Sequence, residues 1–546
     1  MTGTTVATPR VRCARVRTLR RDLRSCMIDG LFYAIMVGLA EVYVAAFVLR
    51  LGLGPIAAGL ITTIPVLVGA GLQLLAPRII RRVGSYPRFM LYCAGLQGLM
   101  YLPLAAIALA GPWLTPWLRE MGSIHALSAI IFLVWIAYWT FSAATGPAWQ
   151  NTAGAIIPAR VRAGYFARRS RILHVATLFS ILFQGVVMTA LTSAGSTSTG
   201  GADAATAPVA HNAESSSAAL ATATTHAETT TAAITTAATT TAATTTATWD
   251  PVLLVFAGLF TLACVCRLVS AWYLGQYSEP RVSPKHERRV RPTDAAWRAI
   301  HAPDGRYLLY TLAVLGTAQV AGPYFNPYMI EILKSDQTPM FESAPFLGPA
   351  LSWLLAGAIL GRILALPTVG LLSRRYGARR ILAISGWLLV PGPLFWLATD
   401  EPILLFIGQI VFGVVWAGFE LSTFLLNYVM LKPEERTSML TLFAAANELG
   451  KSAGSLAGAG LLIASGEGRF AYTLVFWASA LARLATIPLL ARVREPAPHG
   501  LATTQVIDPG PPAGHTGEGS MHEPLLADAP SSHDVATDKA GPGPRS

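Results

Sequence analysis

Several ionisable residues lie inside apolar runs that should exclude them. Glu41 lies between Ala40 and Val42 with Tyr43 close by. Arg362 falls inside another run, Glu420 follows Trp416 and Gly418 in a third, and Glu448 and Lys451 interrupt a fourth. At the centre of a bilayer such a charge costs roughly 2.5–3.5 kcal/mol on insertion scales, so each requires a reason. A carboxylate held away from water can exchange a proton with an ion gradient. Glu41, Glu420 and Glu448 are therefore the candidate proton-coupling groups. Each has a plainer reading. Glu41 could hold a structural hydrogen bond to a neighbouring helix. Glu448 shares a helix face with Lys451, three residues on, and the two could neutralise each other. Arg362 could clamp a carboxylate or phosphate through two parallel hydrogen bonds, or pair with Glu41 or Glu420. Asp29 lies nearer the end of its run and is expected to be hydrated.

A second cluster combines polar groups with helix breakers. Gln319, Gly322-Pro323, Tyr324 and Asn326-Pro327 lie within one apolar run. Proline removes a backbone donor and breaks a helix. Irregular backbone at membrane depth survives only beside protein or water. Gln319, Tyr324, Asn326 and Arg362 are the candidate substrate contacts, the alternative being a gating kink without substrate contact. Glu331 falls near the outer end and reads as solvated. The five cysteines, at 13, 26, 93, 264 and 266, have no metal-ligand spacing. No metal and no cofactor is implied.

These residues need long apolar elements to position them. Of 546 residues, 53% are hydrophobic and 13% charged, a balance suited to a polytopic membrane protein. Hydrocarbon about 30 Å thick takes roughly 20 apolar residues per helix. Such runs recur near 27–49, 55–77, 89–111, 124–147, 172–193, 251–275, 307–333, 346–371, 380–398, 402–430, 438–465 and 470–491. Period-two alternation is missing, which argues against a lipid-facing β-barrel. The expected fold is all-α, with about twelve spans in two pseudo-symmetric six-helix bundles. Gly450, Gly454 and Gly458 make a small-residue ridge against which another helix can pack. Arg267 and Arg483 also fall within runs and receive no role. Trp135, Tyr138, Trp139 and Trp149 could line a cavity, but read first as an interfacial belt or as core.

The basic residues gather in alternate connections, which places both termini in the cytoplasm by the positive-inside rule. The +12 net charge is thus a topology signal, and no folded basic domain is left to bind nucleic acid. The expected organisation is a basic arm over 1–26, a first half over 27–275, a cytoplasmic linker over 276–306, a second half over 307–494 and a disordered tail over 495–546. An Ala/Thr-rich tract at 194–250 interrupts the first half on the non-cytoplasmic side and cannot bury a core. In the linker, Trp297, Ile300 and Tyr307 suggest a short interfacial helix.

The halves echo each other. Arg81-Arg82-Val83-Gly84 follows the second run, and Arg374-Arg375-Tyr376-Gly377 follows the eighth. Pro158-Ala159-Arg160-Val161-Arg162 follows the fourth, and Pro433-Glu434-Glu435-Arg436 the tenth. In these features the chain resembles the major facilitator superfamily, whose turn between spans two and three, repeated between eight and nine, reads roughly Gly-x-Leu-Ala-Asp-Arg-x-Gly-Arg-Arg. Gly370, Leu372, Arg375, Gly377, Arg379 and Arg380 match the second copy, and Arg82 and Gly84 remain in the first. Arg374 and Arg81 stand where the family has aspartate. The resemblance covers about residues 25–494. It implies that these turns sit at the cytoplasmic edge, where their arginines either latch the halves together or only anchor topology.

The expected function is secondary transport of a small solute by alternating access, with proton coupling as a hypothesis on Glu41. The expected setting is a multi-pass protein of the cell or inner membrane, with the lipid bilayer and a small-molecule substrate as partners. Two alternatives stay open. One is a non-transporting sensor of the same fold, and the other a membrane-embedded lipid-modifying enzyme. No His-x-x-x-His, paired-Asp or Ser/His/Asp constellation marks the chain as an enzyme.

Overall fold

A computed structural model of the chain describes residues 9–197, 250–280, 287–325, 328, 350–466 and 468–493. Asn326, Pro327, Glu331, most of the Ala/Thr tract and the C-terminal tail lie outside them. Apolar composition makes the described chain helical, and glycine and proline set the interruptions. The first span is α1 (Pro9–Leu39), a 3₁₀ turn at Glu41–Tyr43, and α2 (Val44–Arg50). The second is α3 (Pro55–Leu72) and α4 (Ala76–Val83), the third α5 (Tyr86–Leu99) and α6 (Tyr101–Glu120). The fourth, fifth and sixth are α7 (Ile124–Ile156), α8 (Ala159–Thr197) and α9 (Pro251–Gly275). A linker helix, α10 (Pro292–His301), precedes α11 (Pro303–Ala318) and a 3₁₀ turn at Gly322–Tyr324. Then come α12 (Ala350–Tyr376), α13 (Ala378–Leu389) with α14 (Gly392–Ala398), α15 (Pro402–Met430), α16 (Arg436–Ser465) and α17 (Arg469–Ala491).

Ten of these spans are long and apolar enough to cross a membrane. The two further expected spans differ for separate reasons. The run at 307–333 passes beyond the described residues after Phe325. The run at 438–465 is a 30-residue helix, α16, but Glu448, Lys451 and its glycines and serines lower its hydropathy. Two boundaries also move. Residues 9–26 are continuous with the first span instead of forming a separate arm, and Arg21 donates to Ser278 at 3.2 Å. The basic stretch after the fourth run, expected as a connection, is from Ala159 onward the opening of α8.

Leu133, Phe179, Trp272 and Phe470 point outward, more than 60% exposed. Apolar side chains facing out suit hydrocarbon as solvent. Inside, two apolar clusters fall within the first half and two within the second. A fifth is shared between halves, joining Ala153, Phe166 and Ala167 to Ala365, Leu366, Leu421, Leu425 and Tyr428.

Both repeated turns use a glycine at positive φ, with different ψ: 5° at Gly84 and 148° at Gly377. Gly84 (φ 72°) follows α4, and its N–H donates to the Ile80 carbonyl at 2.8 Å. Gly377 (φ 88°) follows α12, and its N–H donates to Ser373 at 3.1 Å. Only glycine takes such φ values freely, so each turn stops one span and starts the next with almost no loop.

Candidate functional site

Each half breaks its first helix partway through. In the first half the break is the turn at Glu41–Tyr43. The Tyr43 hydroxyl donates to the Ile181 carbonyl of α8 at 3.1 Å. In the second half the break spans Gln319 to Tyr324, and the Tyr324 hydroxyl donates to the Ser455 carbonyl of α16 at 2.8 Å. Each break therefore ends on a tyrosine pinned to the fifth helix of its own half. Small residues allow the approach: a Cβ on Gly38 would meet Ser180, and Cβ atoms on Gly454 and Gly458 would meet the carbonyls of Gly316 and Val320. The Gly450 ridge thus has its partner in α11.

Glu41 is half-buried at the first break. Its Oε2 accepts from the Tyr138 hydroxyl at 2.5 Å, and the Tyr101 hydroxyl donates to Tyr138 at 3.1 Å. Trp135 stacks on Tyr138 with ring centroids 4.1 Å apart. Trp135 and Tyr138 are therefore core, and the expected helix-to-helix hydrogen bond of Glu41 exists.

In the second half Arg362 Nη2 lies 3.1 Å from Glu420 Oε1. Of the two partners open to Arg362, Glu420 is the one engaged, and Glu41 is not. The Glu420 side chain stays 46% exposed. It lies two helical turns from Asn427 on one face of α15, and Asn427 Nδ2 donates across to Gln150 of α7 at 3.4 Å. Glu420 thus shares a face of α15 with a residue that reaches the first half. Glu448 pairs with Lys451 at 2.6 Å, both partly exposed. Its neighbour on the same face, Ala445, has its N–H within 3.2 Å of the Gln73 amide of the second span. Gln319 packs against Gly454, and Tyr324 is buried.

Two buried arginines that received no role from sequence occupy matched positions. Arg267, in the sixth span, donates through Nε to Gln97 Oε1 and through Nη1 to Ser270 Oγ, both at 2.8 Å. Its guanidinium lies 5.0 Å over the Tyr33 ring. It thus reaches the third and first spans. Arg483, in the twelfth, reaches the ninth and seventh: it donates to the Leu389 carbonyl at 2.8 Å and the Ala318 carbonyl at 3.4 Å. Those carbonyls end α13 and α11, the helices broken by Pro391 and by Gly322-Pro323. Asp29 is not hydrated as expected. It is buried, accepting from Tyr277 at 2.8 Å and Ser270 at 3.3 Å, with Arg169 at 3.4 Å. Bringing spans one, five and six together is what removes its water.

The halves meet at the basic ends of their helices. Tyr428 of α15 lies against Gly154 of α7, where no Cβ would fit, and its hydroxyl donates to the Gln150 carbonyl at 2.8 Å. The guanidiniums of Arg162 and Arg436 lie 4.7 and 5.4 Å from its ring centre. Gly370 packs on Ala167. Beside this contact the linker carboxylate Glu287 accepts from the Tyr86 hydroxyl of the third span at 2.7 Å and the Thr437 N–H of α16 at 2.8 Å. Burial raises the Glu287 carboxyl above the usual range. The motif arginines contribute differently. Arg82, Arg375 and Arg380 are exposed, and Arg379 donates to the Val493 carbonyl of its own half at 2.6 Å.

Residues 347–515 match the sequence model of the Major Facilitator Superfamily. The fold is that of this superfamily. A bacterial homologue of the iron transporter ferroportin, in an outward-facing state, has 14% identity and a TM-score of 0.58, covering 86% of this chain and 99% of that one. The superfamily transporter FucP, in its outward conformation, has 12% identity and a TM-score of 0.56, covering 87% and 99%. The proton:xylose symporter XylE has 12% identity and a TM-score of 0.52, covering 88% and 97%. No curated protein sequence matches.

Within this fold, Glu420 and Glu448 fall on spans that contact the other half, whereas Glu41 lies on the first span, which packs within its own half. Arg362 joins Glu420. Tyr324 instead serves packing inside its half. Tyr307, expected at the interface, is buried and donates to Thr423 O and Asn427 Oδ1 at 2.6 and 3.0 Å. Sequence reasoning missed Glu287, Tyr86 and Gln150. The signal available for Arg267 and Arg483 was their equal depth in the last span of each half.

Proposed function

We propose that the protein is a secondary transporter that moves a small solute by alternating access, coupled to protons through Glu41. The observation that carries this reading is the pair of matched breaks, Glu41–Tyr43 and Gly322–Tyr324, each tied by a tyrosine to the fifth helix of its half. Broken helices present polar backbone at membrane depth, where a carrier binds its cargo. The contacts of Tyr428, Gly154 and Glu287 close the basic ends. With the basic side cytoplasmic, this is the outward-facing arrangement. Glu41 is the coupling carboxylate because its described partner is a neutral hydroxyl, whereas Glu420 and Glu448 each have a cation beside them. Gln319, Arg362 and Asn326 are the substrate contacts we propose. Arg362 becomes available to an anionic group when Glu420 releases it.

The test is uptake of a solute panel into proteoliposomes, with and without an imposed pH gradient. Gradient-driven uptake that Glu41→Gln abolishes, while substrate exchange persists, supports the reading. Gradient-driven uptake unchanged in that variant would remove Glu41 from the mechanism. Folded protein that moves no solute would overturn transport itself.

A further inference from the structure

The linker helix α10 (Pro292–His301) has one face occupied and one face without a packing partner among the described residues. On the occupied face Arg298 Nη1 lies 2.7 Å from Glu435 Oε2 and 3.4 Å from Asp304 Oδ2. Gly305, in the first turn of α11, sits directly on the backbone of Arg298, where a Cβ would not fit. The segment leading into the helix is also fastened: Arg288 N–H donates to the Glu434 carbonyl at 2.7 Å, and Val290 N–H to Ser438 Oγ at 3.0 Å. The helix is therefore held at the basic ends of spans seven, ten and eleven, at headgroup level.

The other face carries Trp297 and Ile300, 62% and 64% exposed and three residues apart. Trp297 is stacked on His301, ring centroids 4.7 Å apart. Arg289 and Arg291 are exposed just before the helix. An indole and an isoleucine beside two exposed guanidiniums match the two layers of a leaflet surface, apolar chains below and anionic headgroups above.

We propose that α10 is a docking site for anionic lipid headgroups of the basic-side leaflet, with Trp297 and Ile300 inserted among the acyl chains and Arg289 and Arg291 on the phosphates. Because Arg298 fastens the helix to Glu435 at the head of α16, captured lipid bears on the end of the molecule where Glu287 joins the halves. This does not depend on transport.

The test is amide hydrogen exchange of residues 292–303 in the purified full-length protein. Nanodiscs of phosphatidylcholine alone are compared with nanodiscs that also contain phosphatidylglycerol. The expected result is slower exchange with phosphatidylglycerol, on the order of fivefold per arginine engaged, reversed by high salt. Arg289→Gln with Arg291→Gln should abolish that difference and leave exchange in phosphatidylcholine unchanged. Trp297→Ser should speed exchange in both lipids. Equal exchange in the two lipids overturns the proposal. So does a lipid dependence that survives the double variant, or protection that needs an added protein fraction, which would mark the face as a protein-binding surface.

Discussion

Arg162 and Arg436 perform the same task in opposite halves. Arg162 Nη2 donates to the carbonyls of Gly154 and Ile157, eight and five residues before it, at 2.7 and 3.1 Å. Arg436 Nη2 donates to those of Tyr428 and Leu431, again eight and five residues before it, at 3.3 and 3.1 Å. Each closes the C-terminus of the fourth helix of its half, where free carbonyls and the helix dipole favour a cation. Both then lie over one ring, Tyr428. Two like charges converge on this contact, and the aromatic face and the carbonyls offset their repulsion.

This arrangement makes the contact sensitive to volume. Gly154→Val would drive a side chain into the Tyr428 ring. We expect the basic ends to separate, because overpacking costs about 1–3 kcal/mol and opening relieves it. Spin-label distances between the basic ends of α8 and α12 should lengthen. Tyr428→Phe, which keeps the ring but loses the bond to Gln150, should have a smaller effect.

The latch carboxylate supplies a pH dependence of definite sign. Glu287 is buried when the halves are closed, beside the Tyr86 hydroxyl, the Thr437 N–H and the charge of Arg436, and its pKa is raised by that burial. Opened to water it returns to the ordinary glutamate range. Closing therefore takes up protons, and the closed population rises as pH falls through the raised value. The same distance measurement as a function of pH checks this, and Glu287→Gln should flatten the curve.

Glu435 should behave in the opposite sense. The hydrogen bond from Arg298 holds its carboxyl below the usual range. Its contribution to stability is present above the ordinary glutamate pKa and is lost as pH falls through the depressed one. Glu435→Gln should lower Tm at neutral pH by an amount equivalent to about 1–2 kcal/mol and have little effect in acid.

Arg483→Ala should destabilise the second half. It strips a charged donor from the Leu389 and Ala318 carbonyls, and hydrogen bonds to charged groups contribute about 1.5–3 kcal/mol each. The expected result is a lower Tm in detergent. Arg483→Lys should recover only part of the loss, since one ammonium cannot reproduce the fork that reaches two helix ends.

The ion pair between Arg362 and Glu420 is half-open to solvent, so its contribution to stability is small, about 0–1 kcal/mol. Arg362→Ala should leave Tm nearly unchanged. If Arg362 contacts substrate, the same variant should raise KM for uptake. A fall in Tm without a change in KM would assign the pair to structure.

The fold class was legible in the sequence because hydrocarbon permits few backbone solutions: apolar runs of membrane length must become helices. The doubled basic turns, the glycines at 84 and 377 and the matched arginines at 162 and 436 follow from local chemistry, since positive φ and helix-end capping act within a few residues. The ridge at Gly450 was legible for the same reason, although its partner in α11 was not. What only the tertiary structure decided are the long-range pairings. Asp29 lost its expected hydration when three helices closed around it. Arg362 met Glu420 instead of Glu41 because α12 and α15 cross in one half. Glu287, from the linker, became the carboxylate that joins the third and eleventh spans through Tyr86 and Thr437. A one-dimensional pattern records which face of a helix is polar. It does not record which other helix will meet that face, and the charge of a buried group is settled by that neighbour.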